Sequence, residues 1–160
     1  MGVLDALIGA AGSWKGTYRL WETSRPPQQS KSTASVTPVI GNRFVRIDYA
    51  WSYDGAPQEG SLLCGHDAKR RVIVAVWIDS WHMSDKMLTC EGPARKTGPI
   101  VVNGSYSVTS GPDWGWRTVL EAGTAGSFRM VMYNISPEGR KDLAVETTFA
   151  RPHVAGRRRR

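Results

Sequence analysis

The stretch EGSLLCGHDAKRRVIVAVWIDSWHM, residues 59–83, consists of two runs rich in β-branched and apolar residues around a polar turn. A turn at Ala68 and Lys69 predicts a hairpin that pairs Cys64 with Ile73, Leu62 with Ala75 and Gly60 with Trp77 on one face. Val72, Val74, Val76, Ile78 and Leu63 then form the other. Both faces are apolar. Such a hairpin is either covered on both sides or presents its second face as an interaction surface.

The same pattern extends along the chain. Further β-rich runs lie near 14–22, 33–40, 43–53, 86–91, 99–108, 115–122, 127–134 and 142–150, giving about ten with the hairpin's own two. The punctuation is of hairpin type, as in Ile40-Gly41-Asn42-Arg43, Tyr53-Asp54-Gly55 and Pro137-Glu138-Gly139. Short connections favour an up-and-down antiparallel meander closed into a barrel. In the first run Trp14, Gly16, Tyr18, Leu20 and Glu22 share the face expected to point inward. Residues 3–11 predict a short amino-terminal helix with Val3, Leu4, Leu7 and Ile8 on one stripe, ended by Gly12. The polar segment RPPQQSKS, residues 25–32, reads as a mobile loop.

At 160 residues the chain fits one domain, expected over 1–152, followed by a basic disordered tail at 153–160. The formal charge of +7 includes Arg157, Arg158, Arg159 and Arg160, and 7 − 4 leaves +3 for the body. Specific nucleic-acid binding is therefore not expected, and the tail reads as solvated. Cys64 and Cys90 are too few and too far apart for a disulfide scaffold or a Cys-x-x-Cys metal site, and they read as buried and reduced. MGVLDALIGAAG has no basic leader and too brief an apolar run for a secretory signal or a spanning helix, so a cytoplasmic protein is expected.

The succession GSWKGTYRLWE, GNRFVRIDY, the hairpin above, WGWRTVLE and ETTFAR resembles the bacterial family of domain of unknown function 1579, over about residues 5–151. More distantly, Gly12-Ser-Trp14-Lys-Gly16 resembles the opening of lipocalin-like (calycin) barrels, nitrobindins among them. The resemblance implies an all-β, roughly ten-stranded barrel with a helix at one end, enclosing a small apolar molecule. It brings no established activity. The nitrobindin likeness implies haem held through a late histidine, for which the chain offers only His153.

Counting strand ends in an up-and-down barrel brings six of the seven tryptophans to one mouth, with Trp14 alone at the other end. WIDSWHMSD, residues 77–85, belongs to that rim. Flat aromatic walls offer stacking area at little entropic cost, and a few polar groups orient what enters. The expected ligand-binding residues are Trp21, Glu22, Trp51, Trp77, Asp79, Trp81, His82 and Trp116, with Arg117 as a counter-charge. The competing reading makes the tryptophans a packed plug, with Asp79 and His82 capping a turn. Glu22, Asp79 and His82 also suggest an acid, a base and an orienter. A nucleophile with a partner at fixed spacing is missing, so the sequence leans away from catalysis. Two classes remain: a small-molecule-binding barrel, and an interaction module acting through its outer apolar strip and basic tail; a homodimer joined partly through Val72, Val74, Val76 and Ile78 is expected.

Overall fold

The computed structural model describes residues 2–123 and 126–153. A single helix, α1 (Asp5–Gly9), precedes ten strands: β1 (Gly12–Glu22), β2 (Arg25–Val39), β3 (Phe44–Tyr53), β4 (Ala56–Asp67), β5 (Val72–Asp79), β6 (Leu88–Pro93), β7 (Ile100–Tyr106), β8 (Trp114–Ala122), β9 (Ser127–Ile135) and β10 (Lys141–Ala150). Each strand pairs antiparallel with its neighbours in sequence, and β10 returns to β1 to close the barrel. The expected all-β meander with one short amino-terminal helix is therefore present. No helix among the described residues is long and apolar enough to cross a membrane.

Alternation fixes what is inside. On β3, Val45, Ile47, Tyr49 and Trp51 are buried while Phe44, Arg46 and Ala50 are exposed. On β1 the inward set is Trp14, Tyr18 and Leu20, as expected. The helix lays Leu4, Leu7 and Ala10 over the barrel end and accepts the indole N–H of Trp14 on the Ala10 carbonyl at 2.8 Å. Both cysteines are buried and free, and burial pushes their thiols up to about 12 for Cys64 and about 11 for Cys90.

Two expectations change. Residues 25–32 are not a loop but the first half of β2, paired with β1 from Gln28 opposite Leu20 to Ser32 opposite Gly16. Pairing with β3 starts only at Thr33. Pro26 and Pro27 therefore lie on the overhanging edge, where a missing N–H costs no ladder bond. Serine side chains extend the seam: Ser32 Oγ donates to the Ala50 carbonyl at 2.8 Å, and Ser30 Oγ accepts the Ser52 N–H at 3.2 Å.

The β4–β5 hairpin is also shifted by two residues, with Cys64 opposite Ala75, Leu62 opposite Trp77 and Gly60 opposite Asp79. Its loop is Ala68–Arg71, with Asp67 accepting the N–H and Nε of Arg70 and with Arg71 in the left-handed region at φ 57°. A shift of two preserves the faces. Cys64, Leu62, Ile73 and Trp77 point inward, and Val72, Val74, Val76, Ile78 and Leu63 point out. Of the expected tail only His153 falls within the described residues, and it is exposed.

Candidate functional site

The turns after β1, β3, β5, β7 and β9 share one end of the barrel, and the tryptophans expected there divide by strand parity. Trp51, Trp77 and Trp116 point inward and are buried, whereas Trp81, in the segment between β5 and β6, is half-buried. Trp77 stacks on Trp116 with ring centroids 4.9 Å apart, and Trp51 stacks on Tyr18 at 4.2 Å. His82 stands between the two stacks, 5.5 Å from both Trp77 and Trp116 and 5.9 Å from Trp51, with Trp81 edge-on to it at 4.7 Å.

One register row builds the polar centre. Tyr49, Gly60 and Asp79 are direct neighbours on β3, β4 and β5. The Tyr49 ring lies across Gly60, where an added Cβ would sit 2.2 Å from the phenolic oxygen, and its hydroxyl donates to Asp79 Oδ2 at 2.6 Å. Trp77 Nε1 in turn donates to the Tyr49 hydroxyl at 2.8 Å. Gly60→Ala is therefore expected to push Tyr49 off Asp79 and cost about 1–3 kcal/mol, read by urea denaturation. A near-UV circular dichroism spectrum unchanged by that substitution would contradict this.

Asp79 Oδ1 accepts the N–H of Trp81 at 2.9 Å and of His82 at 2.8 Å, and lies 3.1 Å from His82 Nδ1. Burial alone would raise the Asp79 carboxyl, but hydrogen bonds from His82 and Tyr49 and the His82 charge outweigh it, holding the group below its usual range. Asp79 is thus a carboxylate, which only accepts, so Nδ1 carries a proton toward it, and in the neutral imidazole Nε2 then holds the lone pair. Burial first, and the Asp79 charge second, raise the hydroxyls of Tyr18 and Tyr49 well above the ordinary tyrosine value, which keeps both protonated.

Several buried polar atoms have no partner among the described residues: His82 Nε2, Trp51 Nε1, Trp116 Nε1, Tyr18 Oη, Thr118 Oγ1 and Thr147 Oγ1. Each such atom costs about 1–3 kcal/mol while it stays unpaired. Above the cluster opens a pocket of about 710 Å³, lined by Trp77, Trp81, His82, Met83, Tyr106 and Trp116 among others. A groove of about 850 Å³ lies elsewhere, on the outer face of β1–β5, and its Asp48 is already held by Ser61 and Arg46.

The structure brings together Trp51, Trp77, Asp79, Trp81, His82 and Trp116. Glu22 sits at the rim, accepting from Tyr53 at 3.2 Å and Gln28 at 3.1 Å, and Tyr53 leads on to Trp81 at 5.1 Å. Two expected residues do not join: Trp21 shares the outer face of β1 with Arg19, whose guanidinium covers its ring, and Arg117 faces outward to Asn103. Tyr18, Tyr49, Gly60 and Tyr106 belong to the site without having been expected there. Tyr49 was legible from its place two residues from both Ile47 and Trp51.

The family model for a protein of unknown function, DUF1579, matches residues 5–151. The chain belongs to the DUF1579 family. No curated protein matches the sequence. Among solved structures, that of Rv2717c from M. tuberculosis is similar, with a TM-score of 0.64 at 13% identity, covering 94% of this chain and 98% of that one. That likeness concerns the fold. In this DUF1579 barrel the side chains do not fit the haem expected through His153. That histidine is exposed beyond β10, and the interior is filled by Tyr18, Phe128, Met130, Met132 and Phe149, all at 0–1% exposure. Glu22 is likewise not bonded to the Asp79–His82 pair, so the three do not form one acid–base relay.

Proposed function

We propose that the protein binds a small, planar, largely apolar molecule in the mouth above its tryptophan cluster, with His82 as the polar anchor. The observation that carries this reading is His82 itself: a side chain only 9% exposed, fixed through Nδ1 by a buried carboxylate, with its Nε2 unpartnered among aromatic rings that also line the pocket. Trp77 and Trp116 form the packed floor, Trp51 packs against His82 outside the pocket lining, and Trp81, Met83 and Tyr106 form the wall. Both readings of the tryptophans thus enter, the plug below and the mouth above. Titration with planar aromatic compounds should quench tryptophan fluorescence saturably, because several indoles lie within contact distance of one ligand. A broad panel that leaves the signal unchanged would sink the proposal.

The outer strip favours a second reading. Leu63 and Ile78 are 43% and 44% exposed and flank the half-buried Val72, Val74 and Val76, an apolar face on a convex polar surface. We read this strip as a homodimer contact. Sedimentation at high micromolar concentration should show a dimer that Ile78→Lys reduces to monomer; wild-type monomer alone would dismiss it.

A further inference from the structure

The unpartnered atoms around His82 have a pattern that specifies what the ligand carries. Trp51 Nε1 and Trp116 Nε1 are donors only, whereas His82 Nε2 is an acceptor in the neutral imidazole, whose proton faces Asp79 from Nδ1. The imidazole stands within 6 Å, ring centre to ring centre, of both indoles. Yet none of the three atoms pairs with another. A ligand group that satisfies them must give one hydrogen and take at least one. An aromatic hydroxyl does both at a single oxygen, and its ring has the flat apolar surface that Trp77, Trp81 and Met83 accept along the pocket wall. A carboxylate gives no hydrogen to Nε2. An ether or a ketone does not either.

We infer that the mouth is a site for phenol-type molecules, whose hydroxyl donates to His82 Nε2 and accepts from the indole N–H of Trp116, the unpartnered indole that lines the pocket. This rests on the binding proposal above and narrows it to a ligand class. Trp81 is the one tryptophan of the cluster that is not buried; it stands edge-on to the imidazole and lines the pocket beside it. Asp79 acts through His82. Its two backbone bonds and the Tyr49 bond hold the carboxylate still, so the imidazole cannot turn Nδ1 toward the ligand instead.

The test compares 2-naphthol with 2-methoxynaphthalene, which presents the same ring system but has no hydroxyl hydrogen. Both are titrated against the wild-type chain by tryptophan fluorescence at neutral pH. The naphthol should bind roughly tenfold or more tightly. In His82→Phe, which keeps a planar ring and removes the acceptor, the ratio of the two dissociation constants should fall toward one. Nitrogen-15 spectra of the wild-type protein give a readout that needs no variant: the Nε2 resonance should move on adding naphthol and not on adding the ether. Equal affinity of the two compounds for the wild type, or a preference that survives in His82→Phe, overturns the hydroxyl assignment and leaves the aromatic mouth standing. Binding of neither compound overturns both.

Discussion

Asp79→Ala should lower the unfolding free energy by about 3–5 kcal/mol, because it removes one member of a buried charged network and strands the rest. Tyr49 Oη, His82 Nδ1 and the N–H groups of Trp81 and His82 all lose their acceptor at once. Asp79→Asn keeps one oxygen as acceptor and should cost less. Urea denaturation at pH 7 measures both, and a loss under about 1 kcal/mol for the alanine variant would show that the network does not matter to the fold. The same residue sets a pH dependence. Its carboxyl lies below its ordinary value when folded, so the unfolded chain binds the proton more readily. The stability it contributes is therefore complete above the unfolded pKa of about 4 and is lost as pH falls through the lower folded value. Wild-type protein should lose stability over that acid window by an amount that Asp79→Asn does not show.

Trp77→Ala should also cost about 3–5 kcal/mol, whereas Trp81→Ala should cost about 1–2 kcal/mol. The two residues are four apart in sequence and share a pocket, but they differ in what surrounds them. Trp77 is 1% exposed, stacks on Trp116 and donates to Tyr49, so truncation opens a cavity and unseats a hydrogen bond together. Trp81 is half-buried beyond the end of β5, with water on one side. Its loss should chiefly weaken ligand binding. Equal destabilisation by the two substitutions would mean that the segment after β5 is core and that no mouth exists there.

Much of the fold was legible because period-two alternation and turn residues are local signals. The strands of the meander, the helix before Trp14 and the inward face of β1 all follow from residues within a few positions of one another. The two departures have non-local causes. Pro26 and Pro27 looked like a loop because prolines break ladders, but β2 outruns β3 there and has only one partner to lose. The hairpin register turned on a four-residue loop closed by Asp67 and Arg70 rather than a two-residue one, which moved Asp79 opposite Gly60.

Sequence alone determined the antiparallel barrel, the gathering of tryptophans at one end and the apolar outer strip, since each depends only on alternation and on which strand ends meet. Tertiary structure decided which of those residues act together. Alternation within β1 and β8 had already sent Trp21 and Arg117 to the outer surface. Glycine at position 60 let a tyrosine from one strand reach an aspartate two strands away, and that contact fixes the histidine. Nothing local to Tyr49, Gly60 or Asp79 encodes that meeting: it exists only once three strands lie side by side in one register.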